Sequence, residues 1–178
     1  VVAELLLQHP DEVSWSDAIV NENALQKTSV HSAKRMASTL RKRLEPMGQD
    51  FWTALLQVSD DLAKQMLLLA TICQSPVLGD FMATVVSDAR RMYRESLRSD
   101  DWQEFILSRQ RVVDGLEQFS ASSIQKMGNN VFKILADVGY LESGRSRKLQ
   151  NLYLLPEVRE WSMRLGCPKA YEAMEAAR

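Results

Sequence analysis

Between Ser120 and Leu149 the residues fall in an order that few folds accommodate. Ile124, Met127, Val131, Ile134, Leu135 and Val138 recur at helical spacing and share one face, while Lys126, Asn129, Asn130, Lys133 and Asp137 fall on the other. Ser122 or Ser123 is suited to cap the start of that helix, where free backbone N–H groups also suit a phosphate. Gly139-Tyr140-Leu141 is a helix exit, and Ser143 to Lys148 makes a short basic turn between two apolar stretches. Amphipathic helix, glycine exit and basic turn, in that order, are the outline of a winged helix-turn-helix. The pattern therefore predicts a helix followed by a short β wing.

Elsewhere the apolar spacing is helical. Residues 1–8 read as the tail of an apolar helix ended by His9 and Pro10, and Ser14 to Asp17 as the cap of a short helix reaching Leu25. Thr28 or Ser29 precedes a longer helix carrying Val30, Ala33, Ala37, Leu40 and Leu44, which Pro46 stops. Further helices are predicted over about 50–59, over 62–74 behind Ser59 and Asp60, over about 78–96, and from Asp100 to about Arg111. Leu152 to Leu155 has strand character. Pro156 suits the first turn of a following helix, and Gly166-Cys167-Pro168 sets off a last one. The predicted fold is mainly α, a helical bundle over 1–118 followed by a winged-helix-like unit with C-terminal helices over 119–178.

The 178 residues carry a net charge of only −1, so any attraction for nucleic acid must be local. The first two dozen residues hold Glu4, Asp11, Glu12, Asp17 and Glu22 without a Lys or Arg; the next twenty hold Lys27, Lys34, Arg35, Arg41, Lys42 and Arg43 against Glu45. The longest apolar run, Met66 to Cys73, falls far short of the roughly 20 residues that span a bilayer, which predicts a buried helix and no membrane partner. Cys73 and Cys167 show no metal-ligand spacing and make a poor disulfide framework for a chain of this size; a reducing, cytoplasmic setting is expected. His9 and His31 stand without a nucleophile or carboxylate at a recognisable spacing, and there is no phosphate-binding glycine loop. No enzymatic activity, cofactor, metal or small-molecule substrate is expected.

Two segments point to a ligand. Asn and Lys side chains suit base edges and phosphates, which marks Lys126, Asn129, Asn130 and Lys133 for a groove and Arg145, Arg147 and Lys148 for the flanking backbone. Asp137 and Glu142 oppose that reading. The second segment, a helix-turn-helix-like stretch over 16–45, offers Lys34, Arg35, Arg41 and Lys42 as a further backbone contact. For both, the bland alternative is a solvated helix face. Arg90, Arg91, Arg94 and Arg98 lie among Asp88, Glu95, Asp100 and Asp101, so intramolecular ion pairs are expected there.

Several stretches taken together resemble a known family. They are Ser32 to Leu44 with Phe51-Trp52 and Leu55-Leu56, Ala63 to Leu69 with Pro76 to Phe81, Asp101-Trp102 with Phe105, and Ser123 to Leu141. In order and over most of the chain they are similar to the BrxA proteins of bacteriophage exclusion (BREX) defence systems. The resemblance implies a small, non-enzymatic helical protein with a core like that of the NusB antitermination factors. It also implies linkage to double-stranded DNA and work beside other BREX subunits. A protein-interaction scaffold and a NusB-like RNA binder are the alternatives.

Overall fold

The structure is a computed structural model that describes residues 1–8, 11–110, 115 and 118–178. Helices dominate, and they divide into two compact units, Val1–Met66 and Leu67–Arg178. The boundary anticipated between 118 and 119 lies inside the second unit.

The first unit contains α1 (Val2–Gln8), α2 (Glu12–Val20), α3 (Val30–Leu44), α4 (Gln49–Leu55) and the start of α5 (Asp60–Gln74). Val2, Leu5 and Leu6 of α1 are buried, and α1 packs on α3 and α4, while α2 lies along α3. Asp11 caps α2 by accepting from the backbone N–H groups of Val13 and Ser14. The Ser14 hydroxyl and backbone N–H hold the Asp11 carboxyl below its ordinary pKa. The expected cap at Ser14 to Asp17 and the end at Leu25 are thus corrected. A carboxylate at the cap takes two orphan donors at once, and the helix stops at Val20. Ser29 caps α3, with Pro46 inside the 3-10 turn Glu45–Met47 that follows it. The Trp52 indole N–H donates to the Leu44 carbonyl at 2.6 Å and so takes one of the acceptors left at the end of α3. His9 and Pro10 lie outside the described residues.

The second unit holds the rest of α5, then α6 (Pro76–Phe81), a π turn (Met82–Val86), α7 (Ser87–Arg91), α8 (Asp101–Arg109), α9 (Ala121–Val138), α10 (Pro156–Arg164) and α11 (Pro168–Ala176). Its centre is aromatic: the Phe81 ring lies 5.2 Å from Trp102, 5.3 Å from Phe105 and 6.3 Å from Phe132, all edge-on. Gly128 lets α9 sit against α8, since a Cβ there would stand 2.7 Å from Trp102 Cδ1. α11 packs on α6, the π turn and α10. The buried Tyr140 hydroxyl donates to the Met174 carbonyl at 2.8 Å, tying the exit of α9 to α11.

Three expectations are corrected in this unit. The helix expected to run to Ser96 ends at Arg91, because Tyr93 takes a left-handed backbone conformation, φ +53°. The helix expected to reach Arg111 ends at Arg109, and Arg111 lies outside the described residues. No strand forms among the described residues: the β wing is replaced by two isolated bridges, Leu141 with Leu149 and Ser96 with Lys148. Leu152 to Leu155 is irregular, with Leu154 buried and Pro156 starting α10. A short apolar run becomes a strand only beside a partner edge, and here it finds helices.

The cysteine reading is also corrected. Cys73 and Cys167 form a disulfide with Cα atoms 6.1 Å apart, joining the end of α5 to the start of α11. A separation of 94 residues in sequence hides a proximity that only the fold creates. No single helix among the described residues is long and apolar enough to cross a membrane.

Candidate nucleic-acid interface

The α9 helix forms where its spacing requires, but its cap differs. Its buried face takes in Gly128 and Phe132, while Met127, Ile134 and Val138 are only half-buried. The cap is Ser120, whose hydroxyl accepts from the Ser123 backbone N–H at 3.2 Å, and neither Ser122 nor Ser123 plays that part. At the other end Gly139, φ +101°, turns the chain out, and the Tyr140 N–H reaches back to the Leu135 carbonyl at 2.8 Å. Ile124, Gly128, Val131, Phe132 and Leu135 are buried. Lys126, Asn129, Asn130 and Lys133 are exposed, and no ion pair among the described residues engages either lysine. Asp137 is exposed on the same stripe, one turn beyond Lys133 and at the end of α9.

The basic turn lies directly on this helix. A Cβ at Gly144 would meet the Lys133 backbone at 3.4 Å, so the turn rests against the middle of α9. The Ser143 hydroxyl accepts from the Ser146 N–H at 3.0 Å, and the Ser143 carbonyl from the Arg147 N–H at 2.9 Å. This leaves Arg145 and Lys148 of the turn exposed. Arg147 behaves differently. Its guanidinium lies 5.5 Å from the Phe132 ring centroid and donates to the Leu97 carbonyl, so it is half-buried as packing.

In the first unit α3 presents Lys34, Arg35 and Lys42 to solvent. Arg41 is held: it pairs with Glu12 at 2.7 Å and Glu45 at 3.1 Å, and stacks 4.8 Å from the Trp15 ring centroid. Those carboxylates raise its pKa against the opposing effect of burial. The recess beside it, lined by Glu12, Lys34, Arg41, Lys42 and Glu45, is electrostatically mixed. The connection between α2 and α3, residues 21–29, is longer than the 3–4-residue turn of a helix-turn-helix.

The arginine cluster follows the expected pairing at three of its four members. Arg91 meets Asp88, Arg94 meets Asp101 at 2.7 Å, and Arg98 meets Asp100, Asp101 and Glu104. Burial works to raise the Asp101 carboxyl, but the bonds from Arg94 and from the backbone and side chain of Arg98 outweigh it and hold the pKa low. Arg90 is the exception. It donates to the carbonyls of Ala177 and Gln150, and no carboxylate among the described residues pairs with it. The sequence carries a faint trace of this, since residues 86, 87, 93 and 94 give Arg90 no acidic partner at helical spacing. No group of His, Cys, Asp and Glu among the described residues is arranged to hold a metal.

Comparison with known proteins agrees along the chain. The BrxA family profile matches residues 1–166. A BREX protein BrxA from Escherichia coli O9:H4 (strain HS) is 43% identical over 178 residues, covering 100% of this chain and 84% of the relative. Another, from Paramagnetospirillum magneticum (strain ATCC 700264 / AMB-1), is 34% identical over 158 residues, covering 89% of this chain and 79% of its own length. The crystal structure of an uncharacterized protein from Magnetospirillum magneticum matches with a TM-score of 0.88 at 29% identity. That match covers 98% of this chain and 90% of the other.

Proposed function

The chain belongs to the BrxA family, and on that premise we propose that it is a non-enzymatic accessory component of a bacterial BREX anti-phage defence system that binds double-stranded DNA. The observation that supports DNA as the ligand is a single basic surface in the second unit. There α9 exposes Lys126, Asn129, Asn130 and Lys133, and the turn that rests on it at Gly144 exposes Arg145 and Lys148. The lysines and Arg145 contact phosphate, and the two asparagines face the groove, where they hydrogen-bond base edges with little sequence demand. Lys34, Arg35 and Lys42 supply a second backbone contact, with Arg41 positioning α2 against α3. The reading places the protein in the cytoplasm with the DNA, beside other BREX subunits.

The test is fluorescence anisotropy with a 20-base-pair duplex across a salt series, joined to a pull-down of BREX subunits. At about 0.9 per contact, the four cations of the second unit contribute about −4 to the slope of log affinity against log salt, and α3 adds about −1 to −2. Replacing Lys126, Lys133, Arg145 and Lys148 with Ala is expected to remove most of that slope while leaving the helical circular dichroism intact. Duplex binding unaffected by the four substitutions overturns the assignment. Capture of BREX subunits without any duplex binding favours the protein scaffold, and selective binding of RNA favours the NusB-like alternative.

A further inference from the structure

We propose that a recess of 480 Å³ in the second unit binds one nucleotide of a nucleic-acid single strand, with its phosphate on Arg90, Arg94 and Lys148 and its base stacked on Tyr93. The site stands apart from the duplex surface in every residue except Lys148.

Arg90 supplies the first reason. Its guanidinium is half-buried in the wall of the recess, and burial lowers its pKa from the usual arginine value without discharging it. Two backbone carbonyls fix its position, yet no carboxylate among the described residues balances its charge. A half-buried cation held only by neutral acceptors is short of an anion. The rest of the wall points the same way. Arg94, Lys148 and Arg178 also line it, against Glu95 as the single side-chain carboxylate of the lining, with Asn151 as a neutral donor. Arg94 keeps its bond to Asp101 and Arg178 pairs with Glu175, so Arg90 and Lys148 carry most of the unbalanced charge.

Tyr93 supplies the second reason, independent of charge. It is 93% exposed, and it takes φ +53°, a backbone conformation that residues other than glycine adopt uncommonly. Local hydrogen bonds impose it: the Tyr93 N–H donates to the Arg90 carbonyl and the Arg94 N–H to the Ala89 carbonyl, both at 2.9 Å. This left-handed cap ends α7 and leaves the aromatic ring in water at the mouth of a cationic recess. The opposite wall is equally fixed. The Leu149 N–H donates to the Glu95 carbonyl at 2.9 Å, and the Ser96–Lys148 bridge sets where Lys148 stands.

An acidic peptide would answer the cations but has no use for the exposed ring. A nucleotide answers both, because every base has a face to stack and every linkage a phosphate. The volume lies within the 300–1,000 Å³ or so of small-ligand sites. In a duplex the base faces are already stacked on one another, so the pocket selects an unpaired strand.

The test measures anisotropy of fluorescein-labelled dT20 and of a 20-base-pair duplex with the whole protein, as wild type, Tyr93→Ala, Tyr93→Phe and Lys126→Ala/Lys133→Ala. Tyr93 lies on the surface and its removal leaves the core intact. Loss of one stacked base is expected to weaken dT20 binding about tenfold or more in Tyr93→Ala, with Tyr93→Phe close to wild type and duplex affinity unchanged. The Lys126/Lys133 variant is expected to lose duplex affinity and keep dT20. A dT20 strand carrying 5-iodouracil should crosslink under ultraviolet light to the peptide containing Tyr93. Equal dT20 affinity in wild type and Tyr93→Ala, or no dT20 binding by wild type, overturns the pocket and leaves the duplex reading standing. Retained dT20 binding with no duplex binding overturns only the duplex reading.

Discussion

α3 of the first unit and α9 of the second unit share one sequence pattern, an amphipathic helix with a basic outer face, yet the fold treats them differently. α3 lies along the acidic α2, which brings Glu12 onto Arg41 and surrounds its cations with carboxylates. α9 carries instead a turn with cations of its own, so Arg145 and Lys148 add to Lys126 and Lys133. Each region also turns one arginine inward over an aromatic ring, Arg41 over Trp15 and Arg147 over Phe132. Counting charges along the chain thus overstates both surfaces by one arginine. It also misses that α3 is partly neutralised while α9 is reinforced.

The comparison breaks most readily in the salt dependence of duplex binding. The variant Lys34→Ala/Arg35→Ala/Lys42→Ala should flatten the slope by about one to two units, against about three to four for the α9 and turn variant. An equal or larger effect at α3 would reverse the ranking of the two surfaces. Next in size is an effect on stability. α9 is seated by a glycine against Trp102, and that ring is locked between Phe81 and Phe105, so Gly128→Ala overpacks the contact. Crowding of about 1–3 kcal/mol exceeds the roughly 1 kcal/mol that alanine gains in a helix. Urea denaturation should therefore show a net loss of up to about 2 kcal/mol, and a more stable Gly128→Ala would refute tight seating. The smallest effect separates packing arginines from binding arginines. Arg147→Ala and Arg41→Ala should each lower stability by about 1 kcal/mol through lost ring contacts and hydrogen bonds. Neither should change the salt slope of duplex binding; a drop of a full unit in Arg147→Ala would return that residue to the phosphate surface.

Much of the helical order was legible in the residues. Ser29, Pro46, Pro156 and Gly139 mark boundaries through cap chemistry and restricted backbone angles, which act over a few residues whatever the rest of the chain does. The buried face of α9 was legible in part, at Ile124, Val131 and Leu135, while Gly128 and Phe132 were buried by what α8 and the turn bring against them. The wing was not legible. A strand needs a partner at hydrogen-bonding distance, and the segment after Lys148 meets Glu95 and Ser96 only long enough for a bridge. Arg90 shows the same limit from the opposite side. Acidic residues around the arginine cluster suggested ion pairing, while Arg90's partners, Gln150 and Ala177, arrive from far along the chain.

What the sequence determined by itself is therefore local and periodic: where most helices run, which of their faces turn inward, and the family the chain resembles. The tertiary structure alone decided which charges stay available. It folded Glu12 onto Arg41, Phe132 under Arg147 and Cys73 against Cys167, and among the described residues it left Arg90 with carbonyls only. The physical reason is range. Caps and helical periods act within one or two turns, whereas a charge is neutralised by whatever the fold brings within a few ångströms, however distant in sequence.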